Sequence, residues 1–328
     1  MLSRPLSRRA LWLGAACAVV VLSIWTSFIL VARFSAARTL TSFDIAFLRF
    51  LFSGLLVLPV LAWRWRMLVA GLRWPVVPGG AAGRPLARGA ALTLTAGVGY
   101  CALAYTGFFF APAAHAAVLM PGSLPLWTAA FAVLLLGERL APARLAGLFL
   151  IVAGGMLVAG SSLLAAAGGA DTWKGDLLFL AAGACWSLYG VLCRRWQVGA
   201  VDATLAVAFG SLLGGALPYG AAVAAGLVNS HLALAPWREI AFQAVYQGGV
   251  TMLIAGLAYT QVVQTFGPLR TTMLTALVPA LAALAAVPLL GEPLSGTAMA
   301  GLACVTAGLL FGLRPPRALP PRLAEGPA

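Results

Sequence analysis

The sequence contains few charged residues. Asp, Glu, Lys and Arg make up 9% of its 328 residues, whereas ordinary soluble domains have about 25%. Eight residues are acidic, and Lys174 is the one lysine beside twenty arginines. Hydrophobic residues make up 62% of the chain and the mean hydropathy is +0.98. This composition excludes a soluble domain and a disordered chain, and it indicates a protein with several membrane spans.

The residues that bind metals and catalyse reactions are also scarce. The chain has two histidines and five cysteines, with no Cys-x-x-Cys or His-Glu-x-x-His motif, so we expect no metal site and no cofactor. None of the acids has a partner acid or a nucleophile–base pair in the sequence, which argues against an enzyme. The net charge of +13 does not indicate nucleic acid, because the basic residues lie at span ends and in loops without interleaved aromatics.

Ten apolar stretches predict an all-α integral membrane fold with ten transmembrane helices. They cover roughly 10–32, 43–63, 87–110, 113–136, 143–165, 175–193, 202–228, 240–265, 269–290 and 295–313. The loop from Arg64 to Arg88, rich in Arg, Gly and Pro, is predicted to have little regular structure. The proline-rich tail, residues 314–328, is predicted to be a disordered cytoplasmic segment.

The distribution of basic residues predicts the orientation. If the N-terminus is cytoplasmic, sixteen basic residues lie in inside segments and four in outside segments, and Arg49 lies within the second span. Basic residues stay preferentially on the cytoplasmic side. We therefore expect both termini in the cytoplasm and the protein in a bacterial inner membrane.

The sequence contains an internal repeat. Residues 103–157 align without gaps with residues 257–311, with 18 identities in 55 positions, including Leu-Ala-Tyr-Thr at 103–106 and 257–260. A nearby offset aligns Trp25 with Trp186. We expect two five-helix repeats, residues 1–167 and 168–313. Because five is odd, the second repeat enters the membrane from the opposite side, and such inverted repeats are typical of secondary transporters. A stable bundle or fixed pore without alternation is the other interpretation.

These residues resemble the EamA family of the drug/metabolite transporter superfamily. The resemblance rests on the two Ala-Tyr-Thr stretches, the Gly-Glu-x-Leu steps at 137–140 and 291–294, and the paired glycines that follow each step. Trp25 and Arg49-Phe50 also match. The resemblance covers nearly the whole chain. It implies ten helices, no ATPase activity, and export or exchange of small metabolites, often amino acids or drugs.

Two ionisable residues in or beside the spans are candidate substrate ligands, because charge at membrane depth is costly and marks function. Arg49 can hold a substrate carboxylate through two parallel hydrogen bonds. Its other interpretations are that it extends to the interface or pairs with Asp44. His115 opens the fourth span and can carry a proton or bind substrate, or it makes a hydrogen bond at the helix start.

The eighth span carries the most polar helical face. With 100° per residue, Gln243, Gln247, Gln261, Thr251 and Thr265 share one side. Lipid does not tolerate such a stripe, so it faces protein or a water-filled cavity. We interpret it as a cavity lining, and hydrogen bonding between helices is the alternative.

Several aromatic residues lie away from the interfacial belts. Trp25, Tyr100 and Trp186, with Tyr105, Tyr189 and Tyr259, can stack on an apolar or aromatic substrate, although each alone is more often a packing residue. Gly308 and Gly312 form a close-packing face for a contact between repeats or within a homodimer.

Together these observations predict a secondary transporter of small metabolites that works by alternating access. The predicted substrate-binding residues are Trp25, Arg49, Tyr100, His115, Trp186, Gln243, Gln247 and Gln261. The expected partners are a small-molecule substrate and the lipid bilayer, and the expected cargo is an amino acid or an amphipathic drug, moved outward. A passive channel for small solutes is the alternative.

Overall fold

A computed structural model describes residues 7–35, 38–69, 85–111, 113–138, 140–166, 171–290 and 296–313. All regular structure within these ranges is helical. The predicted disordered tail lies outside the described residues, as does the centre of the predicted loop between Arg64 and Arg88. The ends of that loop differ from the prediction, because one helix continues to Val69 and the next begins at Pro85.

The described residues of the first half form six helices. They are α1 (Arg8–Ser35), α2 (Ser42–Val69), α3 (Pro85–Ala96), α4 (Val98–Phe110), α5 (Ala113–Leu136) and α6 (Pro142–Ala166).

In the second half, the residues that the structure describes form eight α-helical segments and two π-helical segments. They are α7 (Thr172–Arg195), α8 (Ala200–Ser211), π1 (Leu212–Ala216), α9 (Leu217–Ala224), α10 (Trp237–Gln243), π2 (Ala244–Ile254), α11 (Ala255–Phe266), α12 (Pro268–Thr275), α13 (Val278–Leu290) and α14 (Gly296–Leu313).

Seven helical stretches in the described residues are long and apolar enough to cross a membrane. They are Arg8–Phe28, Ser42–Arg64, Leu86–Phe110, Leu119–Leu136, Thr172–Arg195, Ala200–Ala224 and Trp237–Phe266. The prediction of an all-helical membrane protein is confirmed at this level. Many large apolar side chains on these helices face outward, including Phe109 and Leu134, as a lipid-facing surface requires.

The third helix of each repeat departs from regular α-helix at the same level. The first copy is interrupted at Gly97, between α3 and α4. In the second copy, residues 244–254 form π2. Adding 154 to Gly97, the offset of the repeat, gives Thr251, which lies within π2. In π2 the backbone hydrogen bonds span five residues instead of four. Such π-helical turns occur frequently at functional sites.

Helices α6 and α14 pack backbone against backbone through glycines that the repeat relates. A Cβ atom added to Gly154 would lie 2.7 Å from the carbonyl oxygen of Gly301. One added to Gly308 would lie 2.6 Å from the carbonyl oxygen of Gly147. The offset of 154 relates Gly147 to Gly301 and Gly154 to Gly308. Each contact therefore joins the same two repeat positions, but the helix that supplies the glycine Cα in one contact supplies the carbonyl oxygen in the other. The face predicted at Gly308 therefore lies against the other repeat.

The first helix of each repeat also contacts the third span of the other repeat. The first helices are α1 and α7, and the third spans end with α4 and α11. In the contact of α1 with α11, a Cβ atom on Gly14 would lie 2.7 Å from Thr265 Cγ2. In the contact of α7 with α4, a Cβ atom on Gly175 would lie 2.8 Å from the Ala111 nitrogen. The repeat relates Gly14 to Gly175 and Ala111 to Thr265. Each repeat therefore packs its first helix on the third helix of the other.

At one end of α2, the fully buried carboxylate of Asp44 ties the helix to the segment after α9. It accepts hydrogen bonds from the Thr41 nitrogen and hydroxyl (3.1 and 2.8 Å), the Tyr219 hydroxyl (3.0 Å), the Ser230 hydroxyl (2.5 Å) and the His231 nitrogen (3.0 Å). Five donors compensate the cost of burying this charge.

Further along α2, Arg64 pairs with Asp202, which lies in the first turn of α8. Asp44 likewise lies in the first turn of its helix. Between the two acidic residues, α2 packs closely on the segment from α8 to α9. A Cβ atom on Gly215 would lie 2.6 Å from the Phe50 ring, so only a glycine fits there without a shift of the ring. The second helix of each repeat therefore begins with an acidic residue that fastens it to the other repeat.

The glycine contact between α6 and α14 predicts a position-specific loss of stability. A leucine at Gly154 collides with the backbone of α14, so Gly154→Leu is expected to cost about 1–3 kcal/mol or to prevent folding. Gly155→Leu is the matched control, because a Cβ atom there meets nothing within 4 Å. The measurement is the thermal unfolding midpoint of the detergent-purified protein. Equal midpoints for the two variants would contradict the packing described.

The Asp44 network predicts a second difference in stability. In Asp44→Asn, the amide nitrogen cannot accept the hydrogen bonds that one carboxylate oxygen accepts, and leaving such buried donors unpaired costs about 1–3 kcal/mol each. Asp171→Asn is the control, because its salt bridge with Lys174 is exposed and contributes about 0–1 kcal/mol. Thermal unfolding of both variants checks the prediction, and a midpoint unchanged by Asp44→Asn would contradict it.

Candidate functional site

Five aromatic rings from both repeats meet in one cluster, called here the aromatic cluster: Trp25, Tyr100, Trp186, Tyr189 and Tyr259. Ring centroids lie 5.6 Å apart between Trp25 and Trp186, and 5.5 Å apart between Trp25 and Tyr259. Tyr100 lies 5.1 Å from Trp186. The two tryptophans that the repeat relates are thus in direct edge-to-face contact. The structure brings together three of the predicted site residues, Trp25, Tyr100 and Trp186.

The polar atoms of the aromatic cluster are only partly satisfied. The Tyr189 hydroxyl hydrogen-bonds Thr260 Oγ1 at 2.7 Å, which joins α7 to α11. The Trp186 and Tyr259 rings are neighbours, and the buried Trp186 N–H and Tyr259 hydroxyl make no well-aligned hydrogen bond within the described residues. Buried polar atoms of this kind need an explanation, and a ligand that supplies partners is one.

Arg49 lies beside the aromatic cluster, deep in the helix bundle. Its exposed fraction is 4%. The guanidinium neighbours the side chains of Tyr100, Cys101 and Tyr105, while its Nε atom is buried without a hydrogen-bond partner. Arg49 therefore does not extend to the membrane surface, and Asp44, which the sequence offered as its partner, is bonded elsewhere.

The backbone around Arg49 is held in place by the eighth span. The Arg49 carbonyl accepts a hydrogen bond from Ser53 at 2.7 Å, and the Ser53 hydroxyl also lies 3.0 Å from the sulfur of Met252 in π2. A Cβ atom on Gly248 would lie 3.0 Å from the Arg49 carbonyl oxygen. The glycine thus allows π2 to pack directly on the turn of α2 that carries Arg49.

The predicted glutamine face is divided between two segments. Gln243 and Gln247 are buried, and the Gln247 amide nitrogen lies 3.4 Å from Gln243 Oε1. Gln261 lies on α11, and its amide contacts Thr265, the residue that packs on Gly14 of α1. Gln247 itself lies within π2, where hydrogen bonds span five residues instead of four, so an angle of 100° per residue does not hold between Gln243 and Gln261.

Two residues remain besides these groups. Gln264, on α11 next to Thr265, donates to the carbonyl oxygens of Cys193 and Val198 at 3.0 and 2.8 Å, and so links α11 to the end of α7. His115 lies in the first turn of α5, but its side chain is outside the described part of the chain.

The sequence indicated Tyr105 and Tyr259 as aromatic candidates but not their partners. Both come from the repeated Leu-Ala-Tyr-Thr motif, and the structure gives them different partners. Tyr105 lies beside Arg49, whereas Tyr259 stacks on Trp25. The repetition of the motif was the signal for both positions, but it could not show the difference.

The comparisons with known proteins agree with this architecture. The sequence profile of the EamA-like transporter family matches residues 12–160 and 173–314, which confirms the resemblance drawn from the sequence and its two copies. The chain is 25% identical over 217 residues to the "Uncharacterized transporter YyaM" of Bacillus subtilis (strain 168), which covers 65% of this chain and 68% of that protein.

A solved crystal structure has the same fold. It superposes with a TM-score of 0.66 at 22% identity, over 93% of this chain and 99% of that chain. The family and the name of the relative indicate a transporter rather than an enzyme. With both of its halves matched, the chain belongs to the EamA-like transporter family.

Proposed function

We propose that this protein is a secondary transporter that moves a small metabolite, an amino acid or an amphipathic drug, outward across a bacterial inner membrane. The observation that carries the proposal is the position of Arg49, a buried cation beside aromatic rings from both repeats. A charge inside the membrane is costly and is kept where it binds substrate or ions. Membership of a transporter family supports the same conclusion.

The proposed architecture has ten transmembrane helices in two inverted repeats, residues 1–167 and 168–313, with both termini in the cytoplasm. The exchanged contacts support it: α6 and α14 meet through equivalent glycines, and each first helix packs on the third helix of the other repeat. A two-fold axis between two repeats produces contacts of this kind, because rotation about the axis places each helix on its counterpart in the other repeat. In transporters with inverted repeats, that axis lies in the membrane plane and the substrate site lies at the interface of the repeats.

In the proposed site, Arg49 binds an anionic group and the rings of Trp25, Tyr100 and Trp186 contact the body of the substrate. Gln243 and Gln247 lie on the span that packs against Arg49, where the unpartnered Gln247 Oε1 can accept a hydrogen bond. Gln261 and His115 are proposed as lining residues in the outer parts of the pathway. Alternating access follows if the two repeats exchange conformations, because the site is built from both.

Counterflow in proteoliposomes tests the proposal. Vesicles are loaded with a mixed pool of unlabelled amino acids and amphipathic compounds, and uptake of each labelled compound is followed. A carrier is expected to accumulate its substrate transiently and saturably, because exchange needs no coupling ion. A leak that does not saturate would contradict the proposal and favour the passive channel, and a known exchanger in parallel vesicles controls for vesicle quality.

The aromatic cluster predicts which tryptophan matters in this assay. Trp186→Leu removes the ring that contacts Trp25, Tyr100, Tyr189 and Tyr259, and we expect transport per protein to fall by ~10-fold or more, the loss of about 1.4 kcal/mol of binding. Trp173→Leu is the matched control, because its ring is 58% exposed on the same helix, and we expect a change below about 2-fold. Equal rates for the two variants would place the site elsewhere.

A further inference from the structure

The charge balance of the site limits which substrates it can bind. The proposed function leaves open whether the substrate is zwitterionic, as an amino acid is, or cationic, as many amphipathic drugs are. These classes differ in the charged partners that they need. A zwitterion needs a cation and an anion in the site, and an organic cation needs a carboxylate or free aromatic faces.

The acidic residues of the described chain are bonded away from Arg49. Asp44 is bound by five donors at the end of α2, and Asp202 pairs with Arg64. Glu239 accepts a hydrogen bond from the Leu40 nitrogen, so it also lies near the start of α2. These three carboxylates are at helix ends, and none pairs with the guanidinium.

None of the remaining described acids pairs with Arg49 either. Glu138 and Arg144 approach within 4.0 Å of each other at the turn before α6, and Asp171 pairs with Lys174 at the start of α7. Asp176 lies in the second turn of α7, ten residues before Trp186, which corresponds to about 15 Å along the helix. Asp44, five residues before Arg49 on α2, is the nearest in sequence, and its carboxylate is occupied by its five donors. Within the part of the chain that the structure describes, the Arg49 guanidinium therefore has no carboxylate partner.

The aromatic cluster offers no carboxylate to a second cation. Several of its ring faces are occupied by other rings: Trp25 stacks on Tyr259 at an interplanar angle of 19°, and Tyr189 stacks on Tyr259 at 23°. An ammonium group placed here would meet no carboxylate, and Arg49 would repel it. The Nε–H group of Arg49, in contrast, has no acceptor among the described residues.

We infer that the substrate is an organic monoanion with an apolar or aromatic body, bound through its carboxylate by Arg49 and Tyr105. The inference rests on the transport function proposed above and specifies the substrate of the same site. Binding neutralises the buried guanidinium, and the carboxylate supplies an acceptor for the Nε atom that has none. Of the two substrate classes expected from the sequence, a cationic drug fits the charge of this site least.

Three probes that share a phenyl ring test the inference: 3-phenylpropanoate with charge −1, phenylalanine with net charge zero, and phenethylamine with charge +1. Their binding to the full-length protein in detergent is measured by calorimetry at neutral pH. We expect the anion to bind ~10-fold or more tightly than phenylalanine, because the ammonium group of phenylalanine finds no carboxylate partner beside Arg49, and phenethylamine, which lacks the carboxylate, to bind most weakly. Equal or tighter binding of phenylalanine or phenethylamine would overturn the inference, as would binding of none of the three.

Variants of Arg49 connect the preference to the residue. Arg49→Gln is expected to reduce the difference between the anion and phenylalanine to less than about 3-fold, whereas Arg49→Lys retains the preference at lower affinity because it lacks the planar fork. Arg144→Gln, which removes a partly exposed arginine at the start of α6, is the control and leaves the preference unchanged. If Arg49→Gln does not fold, the Lys variant alone decides, and an unchanged anion affinity in it overturns the assignment.

The counterflow assay separates this inference from the proposed function. Saturable counterflow of phenylalanine but not of 3-phenylpropanoate would support the transporter and overturn the anion site. Binding of the anion that depends on Arg49, in vesicles that show no counterflow of any probe, would support the site and contradict the transport function.

Discussion

The backbone approach of α6 to α14 is the contact on which the relation of the two repeats depends. Lipid tails are as apolar as leucine, so helices in a bilayer associate through close packing and hydrogen bonds rather than through burial of apolar surface. Glycines at 147, 154, 301 and 308 provide the close packing here, and the repeat supplies them in matched pairs. The first helix of each repeat then lies against the third helix of the other, which brings Trp25 to Trp186.

Around this framework, polar side chains serve two different purposes. Asp44 is fully compensated by donors from its own turn and from the segment after α9, as a structural buried charge must be. Arg49, about a turn and a half further along the same helix, has a tyrosine and no carboxylate. One helix thus carries a charge whose hydrogen bonds are all made, which holds the fold, and a charge without a carboxylate partner, which we propose binds the substrate.

The sequence predicted the features that depend on composition and on the repeat. The helical class, the position of Arg49 within a span and the equivalence of Trp25 and Trp186 follow from apolar runs, an isolated charge and self-alignment. The geometry of the glutamine face could not be predicted, because the sequence gives no sign that residues 244–254 form a π-helix. The interruption at Gly97 was also missed, since a glycine within an apolar run is compatible with a continuous helix. The partners of Asp44 come from residues about 175 to 190 positions later, a distance that no local pattern covers.

The exchange of contacts has a consequence for how the chain is made. The most extensive helix contacts join one repeat to the other: α14 with α6, α5 and α4 with α7, and α2 with π2. Synthesis proceeds from the N-terminus, so the first repeat enters the bilayer before the second exists. Its glycine surfaces and Arg49 then face lipid or neighbouring membrane proteins until the second repeat is inserted. Assembly of the native bundle is therefore a late event, and the second half of the chain completes the folding of the first.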